Sequence, residues 1–194
     1  MEKIIVGIAG QIASGKDTVS KYIADEYGAT RYGSSSIFRS TLRNLFLPET
    51  RENLQKISFA LRQAFGDDLV ARVLHEDIQR TEGDFIVVDG MRRLSDILLL
   101  KKEPNFYLLY VDAPLELRYE RIVKRSQNAD DQTKTLEEFR QDHEREAEVS
   151  IKALQSQANG VVENDSDLEK LFAQVDAFIK KIDPTGSVCR KKEN

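Results

Sequence analysis

A short apolar run, IIVGIA at residues 4–9, leads directly into Gly10, four further residues and then Gly15-Lys16. This arrangement constrains the chain more than any other feature it has. A Gly-x4-Gly-Lys loop after a buried strand, opening a helix, turns backbone N–H groups toward phosphate oxygens. Gly10 and Gly15 permit the turn, Ala13 and Ser14 lie within it, and Lys16 reaches the outer phosphates. The usual pattern continues with Ser or Thr, whereas here Asp17 stands in that place with Thr18 behind it. A carboxylate also binds a hard cation through oxygen, so Asp17 and Thr18 are both candidates to hold Mg²⁺.

The rest of the chain alternates short apolar runs with helical patterns. KIIVGIA (3–9), a short strand near 29–32, DFIVVDG (84–90), NFYLLYVDAP (105–114) and GVVEN (160–164) read as strands. Such runs, without polar alternation, belong to strands buried on both faces, hence to a five-stranded parallel sheet covered by helices in three α/β/α layers. Val19, Tyr22, Ile23 and Tyr27 recur at helical spacing up to Gly28, and Leu168 to Ile182 forms one apolar stripe. Thr135-x-x-Glu138 and Ser166-x-x-Glu169 read as capping boxes. Residues 36–82 are helical throughout and read as an insertion beside the sheet; 126–134 is polar and reads as a short lid. A single domain is expected over residues 1–182, with a flexible tail at 183–194.

Composition narrows the classes. A formal net charge of −4 argues against binding a nucleic-acid polymer. Cys189 is the only cysteine, and His75 and His143 are the only histidines, which leaves no disulfide and no zinc cluster. The apolar runs fall far short of membrane length, and the N-terminus is wrongly charged for a signal peptide, so a cytoplasmic protein, monomer or homodimer, is expected.

Ligands of an open parallel sheet gather beyond the carboxyl ends of its strands. There the chain places Ser35 and Arg39; then Asp89, Arg92 and Arg93; then Asp112 and a helix with Arg118, Arg121 and Arg125; and last Asn164 and Asp165. Asp89, at the tip of a buried strand, is a further candidate for Mg²⁺. Phosphoryl transfer asks for positioning and charge more than covalent chemistry. A lysine, a carboxylate and many arginines, without a nucleophile–histidine pair, suit that demand.

Over roughly residues 3–180 this pattern resembles the nucleoside monophosphate kinases, and most closely the archaeal adenylate-kinase-related and deoxynucleoside monophosphate kinases. SSSIFR looks like the family's Thr-Gly-Asp-x-x-Arg, which implies Arg39 on the acceptor phosphate beside Ser35. VVDGMRR looks like Asp-Gly-Phe-Pro-Arg, which implies Asp89 near the metal and either Arg92 or Arg93 as a clamp. RIVKR is similar to the lid-edge arginine pair, giving Arg121 and Arg125 to the ATP side. FRQDHEREAE resembles the segment closing the lid, with Arg145 at the transferring group. VVENDSDLE looks like the adenine-facing loop, giving Asn164 and Asp165. Arg62 and Arg72, in the inserted helices, are further acceptor candidates.

The resemblance implies an ATP- and Mg²⁺-dependent enzyme acting on a small phosphorylated acceptor. Ser35-Ser36 in place of the Gly-Asp pair and Arg92 in place of proline leave the acceptor's identity open. Two alternatives stand beside it: a dephospho-CoA kinase acting on a ribose hydroxyl, and a nucleotide-binding regulator or slow ATPase.

Overall fold

Five of the six residues of β1 (Ile4–Ala9) are buried, because the strand has a parallel neighbour on each side and helices over both faces. Our computed structural model describes residues 3–125, 135–143, 146–188 and 190. After β1 come α1 (Lys16–Tyr27), β2 (Thr30–Gly33), α2 (Ser36–Asn44), α3 (Arg51–Phe65) and α4 (Leu69–Arg80). Then follow β3 (Phe85–Met91), α5 (Leu94–Ile97), β4 (Phe106–Asp112), α6 (Leu115–Arg125), α7 (Leu136–His143), α8 (Glu146–Gln155), β5 (Gly160–Glu163) and α9 (Leu168–Ile182). The five strands are parallel in the order β2-β3-β1-β4-β5, as the buried apolar runs require.

Alternation along the strands divides the interior into two cores. Ile5 and Ala9 of β1, with Ile86 and Val88 of β3, point to the side of α2, α4, α5 and α8. Val6 and Ile8, with Val87, point to the side of α1 and α9. The α9 stripe buries Leu171, Val175, Phe178, Ile179 and Ile182, each contributing roughly 1.5–3 kcal/mol. Helices over both faces make the fold a three-layer α/β/α sandwich.

The chain from α2 to α4 is the helical insertion, and it packs into the first core through Phe38, Val70, Leu74 and Ile78. It is also bolted to the sheet by charge. Arg62 of α3, expected on the acceptor, is buried instead, with Nη2 at 2.6 Å from Asp96 Oδ1 and a second hydrogen bond to the Asp67 carbonyl. Asp96 Oδ2 accepts from the backbone N–H of Arg92 and of Arg93, 3.1 Å each, and so fixes the turn leaving β3.

Of the two expected capping boxes, one forms and one shifts by a residue. Thr135 and Glu138 form their reciprocal capping box, with Glu138 Oε2 accepting from Thr135 N at 2.7 Å. At α9 the cap is Asp167 rather than Ser166, its carboxylate accepting from Lys170 N at 2.8 Å. In the described part of the 183–194 segment several side chains have partners in the fold. Asp183 is buried and accepts from Thr185, Ser187 and Val188. Arg190 pairs with Glu26 at 2.9 Å and lies over the Tyr22 ring. The proposed lid at 126–134 and Arg145 lie outside the described residues.

Candidate active site

In the order β2-β3-β1-β4-β5, the segment after β1 leaves the sheet between β3 and β4, where the direction of strand addition reverses. That is the crevice in which open parallel sheets take ligands. Backbone conformation shows why the loop has the residues it does. Gly10 has φ +156° and Gly15 φ +98°, and a Cβ at Gly15 would collide with Asn164 Nδ2. Ala13 is held at φ 58°, a conformation rare for a residue with a side chain. Strain of this kind persists where the surroundings enforce it, commonly at ligand sites.

The surroundings are identifiable. Asn164, at the end of β5, donates from Nδ2 to the Ser14 carbonyl at 2.8 Å and is itself buried. Arg121 of α6 donates from Nη2 to the Asn164 carbonyl and to Asn164 Oδ1, at 2.9 and 3.0 Å. Burial lowers the Arg121 guanidinium below its ordinary value, against a smaller upward pull from Glu120. Among the described residues its Nη1 and the fully buried Ser14 Oγ have no hydrogen-bond partner. Two polar groups left unpaired beside a strained glycine loop are what an anion-binding cradle would use. Asp165, next in sequence, is exposed.

Arg118 supports the same loop from a second direction. Only 2% of it is exposed, and its guanidinium donates to the Ala113 carbonyl at 3.1 Å and the Ile12 carbonyl at 3.4 Å. The Phe139 ring of α7 covers it, with the guanidinium carbon 5.7 Å from the ring centre. Arg118 thereby joins α6, α7 and the loop. Sequence reading placed it on the right helix and gave it no role.

Lys16 opens α1, with Nζ 3.3 Å from the Gln11 carbonyl across the loop. Asp17 and Asp89 come together through a residue that the sequence did not mark. Arg31 of β2 donates from Nε to Asp89 Oδ2 at 2.8 Å, and its Nη2 is 2.5 Å from the same oxygen. The same Nη2 also bonds Asp17 Oδ1. Burial depresses the Arg31 guanidinium, and the pull of Asp89 and then Asp17 more than reverses this, leaving it above its ordinary value. Ser20 Oγ lies 3.4 Å from Asp89 Oδ2. Two carboxylates within reach of one nitrogen form a hard-oxygen donor set that fits Mg²⁺. Thr18 is exposed on α1.

On the other side of Asp89 lie the expected acceptor residues. Ser34 N donates to the Asp89 carbonyl at 3.0 Å, so the start of α2, with Ser35 and Arg39, adjoins the end of β3. Arg39 Nη1 is 2.9 Å from Glu49 Oε2, and Arg93 Nη1 is 3.8 Å from Asp67 Oδ1. Both arginine side chains are at least 40% exposed, so their charges remain open to another anion. Arg92 is exposed too. Arg72 is turned to its own helix start, bonding the Phe65 carbonyl and pairing with Asp68 at 3.4 Å. Arg125 closes α6, one turn after Arg121.

A strained glycine loop and lysine at the switch point of a five-stranded parallel sheet define a phosphate-loop protein of the kinase-like α/β class. The chain belongs to the AAA domain family, matched over residues 9–140, and to the UPF0200 proteins. It is 30% identical over 179 residues to the UPF0200 protein of Methanoculleus marisnigri, covering 92% of this chain and 96% of the relative. Among solved structures it is similar to TT1252 from Thermus thermophilus, with TM-score 0.62 and 25% identity over 93% of this chain and 98% of that one. It shares its fold with shikimate kinase from Bacteroides thetaiotaomicron, at TM-score 0.56 and 12% identity over 93% and 98% of the two chains. Among the described residues no helix is long and apolar enough to cross a membrane.

Proposed function

We propose that the protein transfers the terminal phosphoryl group of ATP to a nucleoside or deoxynucleoside monophosphate. The observation that carries this reading is the pair Arg39 and Arg93, on the two segments that leave β2 and β3 next to Asp89, with side chains 45% and 40% exposed and paired to Glu49 and Asp67 on the rim. A phosphate dianion competes well for such guanidinium groups, because it accepts two parallel N–H bonds where a carboxylate rim pair is weakly held. An acceptor phosphate oxygen is already anionic near neutral pH and needs no strong general base.

In this reading the loop N–H groups and Lys16 hold the donor phosphates, and Arg121 with Asn164 closes the nucleotide side. Asp89, with Asp17 or Thr18, would hold Mg²⁺, which would supply charge neutralisation for the phosphates. Arg39 and Arg93 orient the acceptor in line with the transferring group. Arg125, at the end of α6, serves the transferring group, a role that the sequence also gives to Arg145, outside the described residues. Residues 1–182 act as one kinase domain, with 36–82 as the acceptor-binding part.

A screen of acceptors, read as ADP released from ATP, tests the proposal. Monophosphates should accelerate release, whereas acceptors offering only a hydroxyl should leave it at the background rate. Arg39→Ala should raise KM for the best monophosphate at least tenfold while ATP affinity, measured alone, stays within about threefold. Acceleration by hydroxyl acceptors alone would point to the dephospho-CoA kinase alternative. ADP release indifferent to every acceptor would point to a slow ATPase.

A further inference from the structure

The charge balance at the end of β3 is unusual for a cation site, because a protein cation already lies on it. Parallel register pairs Arg31 with Val87 and Gly33 with Asp89. Side chains two apart on a strand share a face. Val87 faces the core beneath α1 and α9, so Arg31 and Asp89 project toward α1, whose first turn carries Asp17. The result is one guanidinium held by two carboxylates 72 residues apart in sequence, through Asp89 Oδ2 at 2.8 and 2.5 Å and through Asp17 Oδ1. Both carboxylates are among the candidates to hold the metal.

We propose that Arg31 is an internal counter-ion that shares Asp17 and Asp89 with the divalent cation, so that cation entry displaces the guanidinium. This rests on the kinase reading for the site itself. Three consequences follow from the geometry. A divalent cation and a guanidinium cannot both occupy the point where the two carboxylates converge, since Nη2 lies there and like charges at such separations repel strongly. Nucleotide-free protein therefore binds the cation weakly, and binding strengthens only when the phosphates of ATP bring charge of their own. The released fork, on the strand that runs into Ser34 and α2, becomes available to an anion brought in beside Asp89 at the moment the donor is loaded. Asp17 thereby has a reason to replace the usual hydroxyl: a hydroxyl would hold a metal but would offer Arg31 no opposite charge.

The test is Mn²⁺ binding, read in nucleotide-free protein as loss of the free-ion electron paramagnetic resonance signal, and with ATP as Mn²⁺ retained on the protein side in equilibrium dialysis against the same Mn²⁺–ATP solution. Arg31→Gln should bind Mn²⁺ about tenfold more tightly than wild type without nucleotide, and the difference should shrink with ATP present. Mg²⁺ alone should raise the Tm of Arg31→Gln more than that of wild type. Arg31→Lys, which keeps the charge and loses the fork, should fall between them and serves if the glutamine variant folds poorly. Lys21→Gln, which removes an exposed cation paired with Asp25 on the same helix, should leave Mn²⁺ affinity unchanged. If Arg31→Gln binds no tighter than wild type, or Lys21→Gln tightens binding equally, the counter-ion proposal is overturned while the kinase reading stands. If wild type takes up no Mn²⁺ even with ATP, the metal-dependent kinase reading fails, and this inference fails with it.

Discussion

Lys16 is the residue whose role is most directly tied to spacing in the sequence. Its Nζ spans the loop to the Gln11 carbonyl, so the ammonium sits over the backbone that would hold phosphate. Lys16→Ala should therefore lower kcat by at least about three orders of magnitude, since a charge aimed at the transferring phosphoryl acts mainly in the transition state. Tm should change little, because no core contact is lost. Single-turnover ADP formation, with a melting curve on the same sample, checks both; near-wild-type turnover would remove the phosphate-loop reading. Gly10, Gly15, Lys16 and Asp89 stand out in the sequence as candidates because their signal is local: a fixed interval, or the last residue of an apolar run. Arg31 does not. Its partners lie 14 and 58 residues away, and an arginine in a short edge strand carries no mark of what the sheet will bring beside it. Arg62 misled for the complementary reason: an arginine in a helix looks alike whether it meets a phosphate or a buried aspartate.

At the scale of elements, periodicity and caps predicted well where the signal repeats. All five strands and the α9 stripe were legible, since each depends on several residues that agree. The α9 cap was off by one residue because Asp167 and Ser166 are both good caps, and only backbone geometry chooses between them. What no single element discloses is how α6 supports the loop. Arg118 reaches Ile12, 106 residues away, while Phe139 of α7 lies over its guanidinium. Arg118→Met keeps most of the volume and removes the donors, leaving the Ile12 carbonyl without that tie next to the strained Ala13. ATP affinity should fall about tenfold, roughly 1.4 kcal/mol, with a lower Tm as well. Calorimetric titration of ATP into the folded variant decides it. Wild-type affinity would reduce Arg118 to a packing residue of α6.

For the whole molecule the question is whether the insertion moves as a separate piece or is part of the core. Its apolar residues continue the first core, and Arg62 and Asp96 cross the boundary with side chains only 7% and 2% exposed. Asp96 also holds two backbone N–H groups at the exit of β3, so the pair couples the insertion to the corner that carries Arg92 and Arg93. Removing one member of a buried pair leaves an uncompensated charge, whereas replacing both with apolar residues often costs little. Arg62→Met should thus destabilise by about 3–5 kcal/mol and still unfold in one transition, while Arg62→Met with Asp96→Leu should recover part of that loss. Urea unfolding of wild type, both single variants and the double variant measures the coupling. Acceptor KM, taken at low temperature where Arg62→Met is folded, should change less than about threefold, because the guanidinium is occupied inside the protein. A large rise in KM with stability intact would instead put Arg62 on the acceptor, and the insertion would then be tied to the sheet by its apolar contacts alone.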